Sequence, residues 1–228
     1  FYFLPKSNHE VKVTKDILWN GYKELRLVWK ELKGQPRIRR FLPAFFLYSM
    51  ALQTVMLVAA YFGEEEIAWT NSNEKRVGLI VSILLIQIVA IFGAILTARA
   101  SERFGNIPVL ILINFIWVGL CIIAYYTRTP LQFYYVAGFV GLVMGGLQSL
   151  SRSTYSKLLP KTLDTTSFFS FYEITEKIGI VFGMICFGLI DHISGSMRNG
   201  ILFFIIFFIF GALMLMRIPK QNLSFPGS

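Results

Sequence analysis

A chain of 228 residues is long enough to bury a full core in water, but 55% of this one is hydrophobic, 22 residues are Phe and only 15% are charged, a balance that excludes an ordinary water-soluble globule. The net charge of +9 would suit a nucleic-acid binder only if the basic residues shared one face; they are parcelled out among loops instead, which excludes a nucleic-acid partner. Cys121 and Cys186 fall inside apolar runs with no CxxC or Cys/His spacing, so they read as packing residues, and neither a metal nor another cofactor is expected.

In chain order, residues 1–40 read as a cytoplasmic linker. The opening Phe1-Tyr2-Phe3-Leu4-Pro5 has the look of the tail of an earlier hydrophobic segment, so the chain is expected to continue a longer one. Over residues 14–33, Leu18, Tyr22, Leu25, Trp29 and Leu32 recur at spacings of four and three, which predicts one amphipathic helix. Thr14 can cap it, and Gly34 and Pro36 stop it. Its other face carries Lys15, Asp16, Lys23, Glu24, Lys30, Glu31 and Lys33. Such a helix can lie on the membrane surface or pack beneath the bundle that follows.

Six apolar blocks come next, at residues 41–62, 78–98, 107–126, 133–150, 168–190 and 201–216. A helix rising ~1.5 Å per residue needs ~20 residues to cross a ~30 Å hydrocarbon core, so six transmembrane spans are predicted. The last block is short, and Gly200 with the long arm of Arg198 can extend it. The runs are apolar all round, which excludes alternating barrel strands, and the first lies too far in and lacks a cleavage site for a signal peptide. Seventeen of the 22 Lys and Arg fall before the first span, in the even-numbered loops or after the last span. That bias places both ends of the chain in the cytoplasm, residues 219–228 being a cytoplasmic tail.

The polar residues divide the spans. Gln53 lies in span one, Gln87 in span two, Gln148 with Ser149 and Ser151 in span four, and Glu173, Glu176 and Lys177 in span five. Span three has only Asn114 and span six has no polar side chain. Buried polar groups are costly in lipid, so spans three and six are expected to face it. The period of three predicts an all-α membrane protein built as a 3+3 half-bundle of six transmembrane helices over residues 41–218. Gly141 with Gly145, and Gly179 with Gly183, have the GxxxG spacing that lets helices approach closely.

Arg152, near the cytoplasmic end of span four, is expected at the depth of Glu173 at the start of span five. Glu173 and Lys177 are spaced i, i+4 in the order that favours an ion pair. Together Arg152, Glu173, Glu176 and Lys177 form a candidate charge network with two open readings. It can tie spans four and five together, or it can act in transport, with Glu173 or Glu176 taking up a proton or Lys177 holding a carboxylate of the cargo. Gln53, Gln87 and Gln148 are candidates for hydrogen-bonding a zwitterionic solute, Gln53 foremost; Gln also serves as interhelical glue, worth ~1 kcal/mol or less per contact. An enzyme is not expected: His9 and His192 lie at opposite ends, and no HExxH, nucleophile elbow or phosphate-cradling loop is present. A lipid scramblase or a non-transporting scaffold is the alternative to a solute transporter.

Between spans two and three, Ser101-Glu102-Arg103-Phe104-Gly105-Asn106 is similar to the D-R-x-G-R loop of the major facilitator superfamily, with Asn106 in place of the second basic residue. The stretch Gly145-Gly146-Leu147-Gln148-Ser149-Leu150-Ser151-Arg152-Ser153, followed by Leu158-Leu159-Pro160 and Phe168-Phe169-Ser170-Phe171-Tyr172, resembles the pattern of the autophagy-related vacuolar amino-acid effluxers and their bacterial relatives, the unknown major facilitator family. The resemblance covers residues 36–218. It implies a twelve-helix secondary transporter in which this chain supplies helices seven to twelve and an N-terminal six-helix half is the partner. It also implies alternating access, neutral amino acids as cargo in the vacuolar members, and a bacterial inner membrane or, in a eukaryote, a vacuolar membrane as the location. Glu102, Arg103, Gly105 and Arg152 become cytoplasmic gate candidates.

Overall fold

The computed structural model describes residues 16–159 and 165–219, which form seven helices: α1 (Asp16–Lys33), α2 (Pro36–Glu65), α3 (Ser72–Phe104), α4 (Asn106–Tyr126), α5 (Pro130–Leu158), α6 (Thr165–Ser194) and α7 (Met197–Met216). Thr14, Pro160, Lys161 and the tail beyond residue 219 lie outside the described residues, as do the side chains of Leu18, Tyr22 and Leu25. The last six helices are each long and apolar enough to cross a membrane. The protein is therefore an all-α, multi-pass membrane protein.

The helices outrun the apolar blocks because their first and last turns are polar. At ~1.5 Å per residue the 33 residues of α3 span about 50 Å, well past the hydrocarbon. Local chemistry sets the ends. Pro36 and Pro130 occupy the first turns of α2 and α5, where a missing N–H costs nothing. Thr129 and Gln132 form a capping box on α5, and the Asn71 side chain accepts from Glu74 N at 2.8 Å to cap α3. Gly105, at φ +86°, makes the sharp turn between α3 and α4.

The packing confirms two triplets and interleaves them. The second helix of the first triplet, α3, packs on the first helix of the second, α5; reciprocally, α6 packs on α2, and the third members α4 and α7 pack on each other. Exchanging the triplets leaves this scheme unchanged. Glycines make the two crossed contacts. A methyl group on Gly141 would fall 2.6 Å from the carbonyl oxygen of Ile86, and one on Gly145 would strike that of Ala90. On α6, Gly179 and Gly183 lie against Met50 and Thr54 of α2. The α4–α7 pair is sealed by Trp117 stacked on Phe208 at 5.3 Å.

Spans three and six are not the helices that this chain covers least. In their apolar stretches 39% of residues are buried, against 11% in α3 and 17% in α6. Lack of polar side chains shows which helices tolerate lipid, whereas coverage follows from the crossed packing, which leaves α3 and α6 on the flanks. Their open faces are mostly apolar, with Ile83, Leu84 and Phe92 on α3 and Val181, Phe182 and Ile185 on α6.

Of the two places open to the amphipathic helix, α1 takes the one beneath the bundle. Val28 and Leu32 are buried, and Trp29 stacks on Phe171 of α6 at 5.7 Å, with Lys33 Nζ over the Trp29 ring at 5.2 Å. At the opposite end Arg198 does more than lengthen α7. Its Nε donates to Glu66 Oε2 at 2.6 Å, while its Nη atoms donate to the carbonyls of Tyr125, Thr127 and Glu66 at 2.5, 2.7 and 2.8 Å. One guanidinium thus ties the ends of α2 and α4 to the start of α7.

Replacing Arg198 with Ala strands a largely buried carboxylate and several carbonyls, and is expected to destabilise the fold by about 3 kcal/mol; Arg198→Lys should recover only part, since an ammonium cannot reach all four acceptors. Thermal unfolding in detergent measures both. Gly141→Val should cost about 2 kcal/mol, because the atom in its way is backbone; a value within 0.5 kcal/mol of wild type, flagged as roughly neutral, would contradict the close α3–α5 contact.

Candidate functional site

A cavity of about 280 Å³ opens among α2, α5 and α6. Helical spacing puts its lining on one face of each. Phe45, Ser49 and Leu52 recur along α2, joined by Tyr48 and Gln53; α5 supplies Gln148, Ser151 and Arg152 at i, i+3 and i+4; α6 supplies Tyr172 and Glu176 at i and i+4.

Polar contacts fix the walls. Gln53 Nε2 donates to Glu176 Oε1, bridging α2 and α6. The Ser151 hydroxyl gives its proton to the carbonyl of Leu147 at 2.6 Å, so it accepts from Tyr48 OH at 2.8 Å, bridging α2 and α5. Tyr172 stacks on Phe45 at 4.1 Å and lies under the guanidinium of Arg152 at 5.8 Å. Behind it, Tyr155 packs on Tyr172 at 4.9 Å and donates to the carbonyl of Phe168 at 2.8 Å. The hydroxyls of Tyr48, Ser151 and Tyr155 each have a partner, which a buried polar group needs in lipid.

Gln53, Gln148, Glu176 and Arg152 thus meet in one cavity. Glu173 joins through Arg152, Nη2 to Oε1 at 3.5 Å, at the common depth expected from their positions. The expected Glu173–Lys177 pair does not form. Arg152 reaches Glu173 from α5 and takes the place of the intrahelical partner, leaving Lys177 exposed on α6 without an ion pair among the described residues. Gln87 is exposed on α3, outside the cavity.

The gate candidates separate. Glu102 and Arg103 are exposed at the end of α3, where Arg103 lies over the ring of Phe104 at 5.4 Å. Gly105 forms the turn, and Arg152 belongs to the cavity instead. Asn106 replaces the expected basic residue with a tether: its Nδ2 donates to Thr154 Oγ1 at 3.0 Å, and its Oδ1 accepts from Lys157 at 3.2 Å. Sequence reasoning missed Tyr48, Ser151 and Tyr172 as site residues, although a Tyr inside an apolar run, close to Gln53, was a usable signal. Among the described residues no group of three or more His, Cys, Asp or Glu could hold a metal ion.

Residues 1–223 match the family model described as vacuole effluxer Atg22 like. The chain belongs to that family. Among curated relatives of this Atg22-like chain is the uncharacterized MFS-type transporter YxiO of Bacillus subtilis, 27% identical over 97% of this chain and 48% of the relative. Autophagy-related protein 22 of Yarrowia lipolytica is 26% identical over 85% of this chain and 35% of its own length. Autophagy-related protein 22-1 of Phaeosphaeria nodorum is 30% identical over 87% and 37%. The chain spans half or less of the length of these relatives. The Atg22-like family is one of transporters, not enzymes, and its six apolar helices here agree with the resemblance drawn from residues 145–172.

Two aromatic and acidic positions of this Atg22-like site separate structure from surface. Tyr155→Phe removes the bond that joins the end of α5 to the start of α6 and should cost about 1 kcal/mol. Glu173→Gln breaks a pair whose side chains are 56% and 57% exposed and should change stability by less than about 1 kcal/mol. Unfolding of the two variants in the same detergent gives the order.

Proposed function

We propose that this chain forms the C-terminal half of a secondary active transporter that moves a small zwitterionic solute, neutral amino acids foremost, by alternating access. The observation that carries the reading is the pairing of opposite charges in one cavity. Arg152 has guanidinium donors left over beyond its contact with Glu173 and can hold a carboxylate. Glu176 offers a carboxylate oxygen for an ammonium group, and Gln53 and Gln148 supply neutral hydrogen bonds between them. Glu176 is also the acid in position to take up a proton as cargo leaves.

The partner is an N-terminal six-helix half. Its seat is the open face of α3 and α6, the two helices that this chain covers least, and the chain's share of its relatives' length supports that division. Gln87 and Lys177 are exposed on those helices and are offered to the other half, so that they complete the pathway from its far side. The turn at Glu102, Arg103 and Gly105 works the cytoplasmic gate. The sequence positions of seventeen of the 22 basic residues, before the first span, in the even-numbered loops or after the last span, support a cytoplasmic location for both ends, in a bacterial inner membrane or a vacuolar membrane.

In vesicles containing the full-length transporter, Arg152→Gln and Glu176→Gln should each lower amino-acid uptake about tenfold or more, the loss of one charged hydrogen bond. Glu176→Gln should also flatten the pH dependence of uptake. Normal pH-dependent uptake by Glu173→Gln, Glu176→Gln and Lys177→Met together, or lipid scrambling without solute uptake by the wild type, would sink the reading.

A further inference from the structure

A second cavity, of about 560 Å³, lies at the basic end of the bundle, where α2 and α4 begin and α5 and α7 end. Arg37 and Lys157 both line it, and no Asp or Glu does among the described residues. Arg37 Nε is shut off from solvent and has no hydrogen-bond partner among the described residues. Among the described residues Lys157 has only the neutral Oδ1 of Asn106, at 3.2 Å. A buried guanidinium N–H without an acceptor is unfavourable, and two cations on one cavity repel; an anion between them removes both costs.

The rest of the wall is apolar. Ile107 and Ile111 of α4 and Leu215 of α7 run from the helix ends toward the middle of the bundle. Asn106 and Met216 are terminal residues of spanning helices, so the cavity mouth stands at headgroup level, where arginine and lysine meet lipid phosphates. The geometry points to a seat for an anionic phospholipid, its phosphate held between Arg37 and Lys157 and one acyl chain laid along Ile107, Ile111 and Leu215. A soluble anion would use the cations and leave the apolar strip bare. The neighbouring groove of Arg39, Arg40 and Arg217 serves as the internal control: Arg40 Nη1 is spent on the carbonyl of Arg217 at 2.6 Å, and Arg39 and Arg40 are exposed.

The test is lipid binding to the purified full-length protein in neutral detergent, read by native mass spectrometry with phosphatidylglycerol, phosphatidylcholine and inorganic phosphate as probes. Phosphatidylglycerol should bind saturably and about tenfold more tightly than phosphatidylcholine. Arg37→Gln and Lys157→Gln should each weaken it about tenfold, as the loss of a charged hydrogen bond implies. Arg37→Lys, which keeps the charge and guards against a folding defect, should retain most of the binding, and Arg39→Gln should change it less than about threefold. Equal binding of phosphatidylcholine would overturn the proposal. So would an Arg39→Gln loss as large as that of Arg37→Gln, which would mean diffuse attraction to a basic surface. Inorganic phosphate binding as tightly as the lipid would assign the site to a soluble anion instead.

Discussion

Helices surrounded by hydrocarbon gain little by burying apolar side chains against one another, so a bundle in lipid coheres where backbones come close and where polar groups find partners. In this protein glycines permit close approaches of α3 to α5 and of α6 to α2, and Gly211 of α7 lies against Tyr48 of α2. They help to shape the cavity. The α6–α2 contact brings Glu176 within reach of Gln53. The α3–α5 contact holds in place the helix that carries Gln148, Ser151 and Arg152. The third helices α4 and α7 then close the rear through Trp117 and Phe208.

The cavity is polar at its surface and aromatic behind it. Tyr172 has packing partners in Phe45 and Tyr155, and its ring is also the floor beneath Arg152. An arginine spread over an aromatic face keeps its in-plane N–H groups free for other acceptors. The ion pair with Glu173 is solvated and contributes little to stability. The bridges Gln53–Glu176 and Tyr48–Ser151 differ in kind: they join separate helices, so any movement of α6 or α5 against α2 has to break or exchange them.

The six spans and their division into threes were legible because lipid imposes a length and a polarity that a sequence displays directly. Arg152 and Glu173 were placed together by counting residues along two antiparallel helices, which needs only the helical rise. The partner of Glu173 was misjudged because i, i+4 spacing ranks contacts within one helix and is blind to a longer arm arriving from the next. The exposure of α3 and α6 within this chain follows from crossed packing, which the polarity of single spans does not report. Ser151 stands out as a polar residue of span four, but its partner Tyr48 does not until the fold sets them 2.8 Å apart across 103 positions of sequence.

The crossed arrangement also bears on how such a chain assembles. Spans enter a membrane in the order of synthesis, and the seat of α3 does not exist until α5 has arrived, nor that of α2's flank until α6 has. The first three helices therefore wait side by side without their glycine-lined contacts, and their register is set only by partners made later. Neither triplet is a folding unit. The unit is the six helices together, which is the smallest piece of this sequence in which each close contact has both of its sides.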